Sequence, residues 1–148
     1  MVEDTLDLSG FSWEDRTTFY IGCSFTFEEA LIQGGIQIRN IQEGVNVSMY
    51  KSSLKTYQVG DFYCEMFTTM RPIPKDLLAK TVAITAQFTN AHGAPIHIGD
   101  PARIGIRDIT KPDDGDRVTV RDGEVPVFWA CGVTVKEAVA AISKYQSM

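Results

Sequence analysis

Two stretches of this sequence share one pattern of residues, and that pattern limits the folds open to the chain. FYIGCSFTFEEAL begins at Phe19 and VFWACGVTVKEAV begins at Val127. In each, an apolar run typical of a buried strand ends at a cysteine, a small residue follows, and a Thr-x-x-Glu sequence predicts a capped helix. The chain is therefore expected to contain two strand–helix units of the same design.

The rest of the chain alternates between strand and helix patterns in a similar way. Strands are predicted over residues 17–23, 36–41, 61–70, 95–99 and 125–131, and another begins at Met49. Helices are predicted over residues 26–33, 74–88 and 134–145. Pro72 is expected to end the strand before it, because proline cannot donate to a sheet ladder. This order predicts an α/β or α+β fold, in which helices pack on a mixed β-sheet as a layered sandwich.

Composition restricts the classes of function. The 148 residues suffice for one domain, predicted over residues 17–148 after a flexible polar arm over residues 1–16. A net charge of -5 argues against nucleic-acid and membrane partners, which need a basic surface or an apolar run of roughly 18 residues. Three cysteines without a targeting signal favour a reducing compartment: the cytoplasm or, alternatively, the mitochondrial matrix.

The repeated pattern suggests a binding site as well as a fold. Each unit places a thiol, Cys23 or Cys131, and the backbone N–H of a small residue, Ser24 or Gly132, beside a helix N-terminus. Such a position favours carboxylates and lowers the pKa of a thiol. If both units face one crevice, they would offer two anion sites to a dicarboxylate. The alternative is that the pattern reflects only the ordinary residue preferences of a strand followed by a helix.

Both histidines of the chain lie in the segment AHGAPIHIGDP. If His97 lies on the inner face of the short strand predicted there, it could act as a general base or acid near neutral pH. The spacing of His92, His97 and Asp100 could also supply a metal site, although it matches no strict zinc signature. A histidine that is simply hydrogen-bonded within the fold is the alternative for each.

Further polar residues stand at the ends of predicted strands. Arginine suits bidentate carboxylate binding, and asparagine can orient an amide or carboxylate. The candidates for substrate contacts are Arg39, Asn40, Asn46, Tyr50 and Arg71. Surface salt bridges are the alternative role for the arginines.

An acidic turn, KPDDGD, covers residues 111–116 and could hold a cation or a substrate ammonium, or be an ordinary solvated turn. The sequence contains no Gly-rich phosphate loop, no G-x-S-x-G elbow and no C-x-x-C pair. Nucleotide cofactors, hydrolase triads and structural zinc are therefore disfavoured.

Taken in order, six blocks resemble the D-glutamate cyclase family, whose members are also described as hydro-lyases. The blocks are YIGCSFTFEEAL, RNIQEGVNVSMY, MRPIP, HGAPIHIGDP, KPDDGD and EVPVFWACGVT. Family members typically carry a further N-terminal region of about a hundred residues, the size of a domain or half-domain, which this sequence is expected to lack. Lys51-Ser52-Ser53 departs from the family's usual Arg-Thr-Asn, Cys64-Glu65 from a Gly-Pro, and Asp114 from an aromatic residue.

The resemblance implies conversion of D-glutamate, a dicarboxylate amino acid, to 5-oxo-D-proline with loss of water. We expect that no cofactor is required, although manganese could assist the reaction. The protein could also form a homo-oligomer. Among the catalytic candidates His97 is the first choice of base, oriented by Asp100, and His92 the second. Cys23 and Cys131 are candidates for proton transfer, and Arg39 or Arg71 for a carboxylate clamp.

Two other functions fit the residues. A cofactor-independent racemase or epimerase would use two thiols on either side of an α-carbon, and the repeated cysteines suit that chemistry. A small-molecule-binding module without catalysis is the third possibility.

Overall fold

The computed structural model describes residues 6–15 and 17–146 and is built around a four-stranded sheet. Its strands are β1 (Ser48–Lys55), β2 (Glu65–Pro74), β3 (His97–Ile98) and β4 (Glu124–Ala130), in the order β1-β2-β4-β3. The α-helices are α1 (Glu28–Gln33), α2 (Arg39–Glu43), α3 (Leu78–Thr85) and α4 (Val133–Gln146). Short 3-10 helices cover Ser24–Phe27, Lys75–Leu77, Thr89–Ala91 and Pro101–Ile104.

The predicted class, a sheet with helices packed on it, is confirmed. All strand pairings in the described part of the chain are antiparallel, so the fold is the α+β form of that prediction. The strands expected near Met49 and over residues 61–70, 95–99 and 125–131 are present with shifted ends. The helices expected over residues 74–88 and 134–145 are present as well.

The two faces of the sheet bury two separate clusters of apolar side chains, because alternate residues of a strand point to opposite faces. We call the first the helix face, since α1 and α3 pack on it; its buried residues are Phe27, Leu31, Ile36, Ile38, Ile73, Val127 and Trp129. The second is the loop face, with Tyr50, Met70, Ile104, Ile106, Val118 and Phe128. Trp129 and Phe128, neighbours in β4, are both fully buried on opposite sides.

The expectation that Pro72 ends its strand was wrong. Pro72 lies opposite Pro126, and β2 continues to Pro74. Neither proline can donate, so the pair sits where no ladder bond joins the two strands. Pairing of β2 with β1 reaches only Met70, so the missing N–H of Pro72 faces no third strand.

Two predicted strands are not formed. Residues 17–23 have no regular structure, and their side chains are exposed, Tyr20 almost completely. A β-prone run needs a partner strand, and this one pairs with none of the described strands. Residues 36–41 run into helix α2, which ends at Gly44 in the left-handed conformation. The alternation of Ile36 and Ile38 reflects two buried anchors before the helix, not a strand.

Neither predicted capping box forms. Helix α1 begins at Glu28, after a 3-10 turn, and has no side-chain cap. Thr134 lies inside α4, and its hydroxyl accepts a hydrogen bond of 3.0 Å from the backbone N–H of Phe67. The threonine therefore ties α4 to β2 instead of capping the helix.

Among the described residues, no helix is both long and apolar enough to cross a membrane. Residues 6–15 of the expected arm form turns without helix or strand, while residues 1–5 and 16 lie outside the described residues. The flexibility of the arm stays a prediction.

Candidate active site

Arg71 stands at the centre of a buried polar cluster on the helix face. It is 1% exposed, and its Nε donates to Glu28 Oε1 at 2.9 Å. Nη2 donates to Ser24 Oγ at 3.2 Å, and Nη1 to Thr69 Oγ1 at 3.3 Å. Because Ser24 and Glu28 follow Cys23 closely in the chain, this network fastens the first repeated unit to strand β2.

Two aromatic rings enclose the same guanidinium. Its carbon lies 5.2 Å from the centre of the Phe27 ring and 5.7 Å from that of Trp129, distances typical of cation–π contacts. A charge removed from water needs such compensation. Arg71 is thus enclosed and engaged in this structure, and its donors serve Glu28 instead of an open carboxylate site.

Arg39, the other candidate clamp, is likewise paired. It is 5% exposed and donates to Glu124 at the start of β4. Its Nε and Nη1 are buried and have no hydrogen-bond partner among the described residues. Both arginines proposed from the sequence therefore hold glutamates of the fold itself.

The cysteine-bearing ends of the two repeated units meet. A Cβ added to Gly132 would lie 3.0 Å from the side chain of Ile21 and 3.5 Å from the carbonyl oxygen of Gly22. Cys23 and Cys131 are close enough for each to act electrostatically on Arg71 and for Cys23 to act on Cys131. The two thiol-bearing ends are therefore neighbours, although only the second follows a strand, and a crevice shared by both stays a prediction.

Burial raises the pKa of the Cys131 thiol above its ordinary value. The N–H of Val133, at the start of α4, and the charge of Arg71 both oppose this rise but do not cancel it. The expected lowering by the helix N-terminus is thus outweighed by desolvation. Cys131 is protonated at neutral pH.

His92 belongs to the same cluster. Its ring hydrogen-bonds to the backbone of Gly22, and its Nε2 is buried without a hydrogen-bond partner in the described structure. Burial lowers its pKa, Gly22 opposes this, and the charge of Arg71 lowers it further. At Gly22 an added Cβ would lie 2.2 Å from the carbonyl oxygen of Asn90, so only glycine allows this close packing. His92 is therefore a neutral base near Arg71, bonded to the residue that precedes Cys23.

His97 lies elsewhere. Its ring packs 5.7 Å from that of Phe128, on the loop face, across the sheet from Cys131 and Arg71. Its Nε2 lies 2.8 Å from the backbone oxygen of Asp100, while the Asp100 carboxylate accepts from Ala102 N and caps a 3-10 helix. The structure thus joins His97 to Asp100 through the main chain, and it does not bring either to the thiols.

The remaining polar candidates hold the local backbone. Tyr50 is buried on the loop face and donates to the carbonyl of Ile109 at 2.6 Å. The Asn46 side chain accepts from the N–H of Val47, and Asn40 is buried in α2. The fold therefore explains the positions of these three side chains, and no ligand is needed to explain them.

The acidic turn over residues 111–116 has a structural role beside the edge strand β1. Asp113 Oδ2 accepts from the N–H of Lys51, and Asp116 Oδ2 from that of Asn46, each at 2.8 Å. Gly115 lies so close to β1 that a Cβ would come within 2.0 Å of a backbone oxygen. The carboxylates thus satisfy donors of β1 and of the residues just before it.

The described residues contain no group of three or more His, Cys, Asp or Glu side chains arranged to hold a metal ion. His92 and His97 diverge to opposite faces of the sheet, so the spacing seen in the sequence does not become a ligand set. These residues do not fit a manganese site, and no step of the proposed reaction uses one.

Sequence reasoning missed Glu28, Thr69 and Trp129. Only their positions in the predicted elements could have indicated a role. Glu28 lies on the buried side of α1, and Thr69 and Trp129, which lie opposite each other, are buried in their strands. Because charged side chains are rarely buried without a partner, a glutamate at a buried position of a short helix indicates a buried arginine such as Arg71.

Comparison with known proteins gives a consistent result. The sequence profile described as D-glutamate cyclase matches residues 17–148. The chain is 51% identical over 140 residues to "Putative hydro-lyase YcsI" of Bacillus subtilis, covering 95% of this chain and 54% of that protein. It is 51% identical over 137 residues to a "Putative hydro-lyase" of Syntrophobacter fumaroxidans, covering 93% and 52%. A "Putative hydro-lyase" of Natranaerobius thermophilus is 47% identical over 136 residues, covering 92% and 52%. The chain spans about half the length of these relatives.

Proposed function

This chain belongs to the D-glutamate cyclase family, and from that premise we propose that it acts as a hydro-lyase converting D-glutamate to 5-oxo-D-proline and water. The observation that carries the assignment of a site is the Nε2 of His92, which is buried without a hydrogen-bond partner among the described residues, in a ring close enough to Arg71 to feel its charge. A buried ring nitrogen without a partner is unusual, and a catalytic role is one recognised explanation.

The reaction sets three demands. The α-ammonium must lose two protons, one before and one after the nitrogen attacks, the amine must be held about 3 Å from the γ-carboxyl carbon, and the departing carboxylate oxygen must gain two protons. A C–N bond forms, a C–O bond breaks, and the oxygen leaves as water. One base takes the two protons from the nitrogen in turn, and both are delivered to the oxygen, directly by the protonated base or through a proton donor near the reacting carbon.

We assign the base to His92. Its lowered pKa keeps the imidazole neutral at pH 7, and its hydrogen bond to Gly22 fixes the ring. Burial lowers the pKa of His92, and Arg71, enclosed by Phe27 and Trp129, is a positioning residue whose positive charge lowers that pKa further. The proton donor is Cys131, since its raised pKa keeps the thiol protonated. The other thiol, Cys23, is exposed.

The test is to incubate the protein with D- or L-glutamate, with and without manganese, and to follow 5-oxoproline by NMR. The full-length Bacillus subtilis relative is assayed in parallel, since this chain spans about half of it. His92→Gln should lower kcat at least about a hundredfold, and His97→Gln is the matched variant on the opposite face of the sheet. If His97→Gln alone abolishes turnover, the base is the histidine of the loop face; if neither protein forms 5-oxoproline, the reaction is wrong.

The pair of thiols supports a second candidate, a cofactor-independent racemase or epimerase. Cys23 acts electrostatically on Cys131, as expected for two groups that could take and return an α-proton. In deuterium oxide this reaction would place deuterium at the α-carbon without ring closure. Cys23→Ser would then stop exchange from one enantiomer more than from the other.

A further inference from the structure

The cysteines of the two repeated units lie on chain segments that pass directly beside each other. At one end of this contact, a Cβ added to Gly132 would lie 3.5 Å from the carbonyl oxygen of Gly22. At the other end, the Thr69 hydroxyl donates to Ser24 Oγ at 3.4 Å, and Thr69 lies opposite Trp129 in the sheet. The first segment therefore runs past the end of β4 in the opposite direction to that strand.

This arrangement places the two thiols opposite each other. Cys23 stands between the two contacting residues of its segment, and Cys131 stands just before Gly132, between the corresponding positions of the other. Cys23 is also close enough to act electrostatically on Cys131. A disulfide requires Cα atoms about 4.4–6.8 Å apart, which only segments in direct contact can provide. The absence of a side chain at Gly132 allows this contact, since a Cβ there would come within 3.0 Å of the Ile21 side chain.

The three thiols of the chain differ in access and in surroundings. Cys23 is exposed, so an oxidant in solution can reach it, whereas Cys131 is buried beside it. The third thiol, Cys64, is half-buried before β2, and its Sγ donates to the carbonyl oxygen of Thr134 at 3.6 Å. The first repeated unit therefore supplies a thiol that meets the oxidant, and the second supplies a thiol that can react with the product.

We propose that Cys23 and Cys131 form a reversible disulfide when the protein meets a hydroperoxide. The sulfur of Cys23 attacks the peroxide, so that an S–O bond forms, the O–O bond breaks, and an alcohol or water leaves with the thiol proton. The sulfur of Cys131 then attacks that of Cys23, so that the S–S bond forms and the hydroxyl leaves as water with the second thiol proton. The two thiols lose two electrons, which the peroxide gains, and a dithiol reductant reverses the change.

The disulfide would also switch off the site. Cys131 is the proton donor assigned above, and its sulfur carries no proton once it is bonded to Cys23. Oxidised protein should therefore lose cyclase activity and regain it on reduction. This consequence rests on the proposed function, whereas formation of the disulfide does not.

The experiment treats the reduced protein with limiting hydrogen peroxide, blocks the remaining thiols with N-ethylmaleimide after denaturation, and maps the peptides by mass spectrometry without reduction. The linkage of Cys23 to Cys131 should exceed each other pairing at least about tenfold, because disulfide geometry is strict. Protein unfolded in guanidinium chloride is the matched control. There Cys23 should pair more with Cys64, because the shorter loop closes more readily.

Single substitutions separate the roles of the thiols. Cys23→Ser should abolish the linkage, and Cys131→Ser should stop the reaction at a sulfenic acid on Cys23, which dimedone traps. Cys64→Ser is the matched control and should leave the rate of linkage unchanged. An unchanged Tm establishes that each variant is folded, and Cys131→Ala replaces the serine variant if the buried hydroxyl lowers Tm.

Three results would overturn the proposal. They are the same distribution of pairings in folded and unfolded protein, a linkage between the Cys23 residues of two chains that disappears on dilution, and oxidation of Cys23 to a sulfinic acid while Cys131 stays free. Formation of 5-oxoproline is measured on the same samples. A disulfide that forms without loss of that activity would contradict the role of Cys131 in the cyclisation and leave the disulfide established.

Discussion

The two repeated units start from nearly the same residues and end in different structures. In the second, the apolar run becomes β4, with β2 on one side and β3 on the other, and Trp129 is fully buried. In the first, the equivalent run stays irregular, and Tyr20 is 98% exposed. Strand propensity is thus expressed only where neighbouring strands supply hydrogen-bond partners. The first unit is instead attached through side chains, above all the pair of Glu28 and Arg71.

The largest difference between the units should appear on truncating their aromatic side chains. Trp129→Ala removes a fully buried ring and should cost about 3–5 kcal/mol of unfolding free energy. Tyr20→Ala should change it by less than about 0.5 kcal/mol. Urea denaturation followed by circular dichroism measures both, and a large loss in the tyrosine variant would show that the Tyr20 side chain is packed.

The attachment of the first unit is tested next. Glu28→Ala leaves the guanidinium of Arg71 buried without its carboxylate, which should cost about 3 kcal/mol. Glu29→Ala, the adjacent and exposed glutamate, is the control and should cost only a few tenths of a kcal/mol. Equal losses in the same urea experiment would contradict the role given to the buried pair.

The two thiols should differ in reactivity. Cys23 is exposed, whereas Cys131 is 8% exposed and has a raised pKa. Alkylation at pH 8 should therefore be at least about tenfold faster at Cys23. Peptide mass spectrometry at timed intervals measures both rates, with Cys64 as an internal reference. Similar rates at the two positions would mean that the end of β4 opens readily.

The smallest effect concerns pH. Because the folded-state pKa of His92 is lowered, the unfolded chain binds more protons between that pKa and about 6.5. Folding stability should rise with pH across this window and should fall as the pH drops through it. His92→Gln should flatten this part of the curve in urea titrations between pH 5 and 8. An unchanged slope would show that His92 is not buried as described.

The same histidine should shape the activity profile in the proposed cyclisation. A base must be unprotonated, so kcat/KM should fall only at pH values below the ordinary histidine pKa of about 6.5. A fall centred above that value would argue for another base.

Several local features were readable from residues alone. The apolar run over residues 125–131 predicted β4, and the helical patterns over residues 26–33, 74–88 and 134–145 predicted α1, α3 and α4. The family resemblance was confirmed over residues 17–148. The repeat predicts the two thiols, and the end of a strand predicts Arg71, as candidate site residues.

Sequence order could not decide which histidine joins the thiols. His92 and His97 lie in one short segment, yet a two-residue strand, β3, places His97 against Phe128 on the opposite side of the sheet. Which face a side chain occupies depends on strand register, and a change of one residue reverses it. Likewise, no pattern tells an arginine bound to a substrate from one bound to a glutamate of another element.

Residue patterns alone therefore established the elements with a strong local signal and the family to which their order belongs. Packing in three dimensions decided that residues 17–23 pair with no described strand, that the acidic turn binds the backbone of β1, and that His92 lies near Gly22 and Arg71. The physical reason is that strand pairing, burial and charge compensation are relations between distant residues. Local residue preferences indicate which residues could take part in such interactions, and packing determines which interactions form.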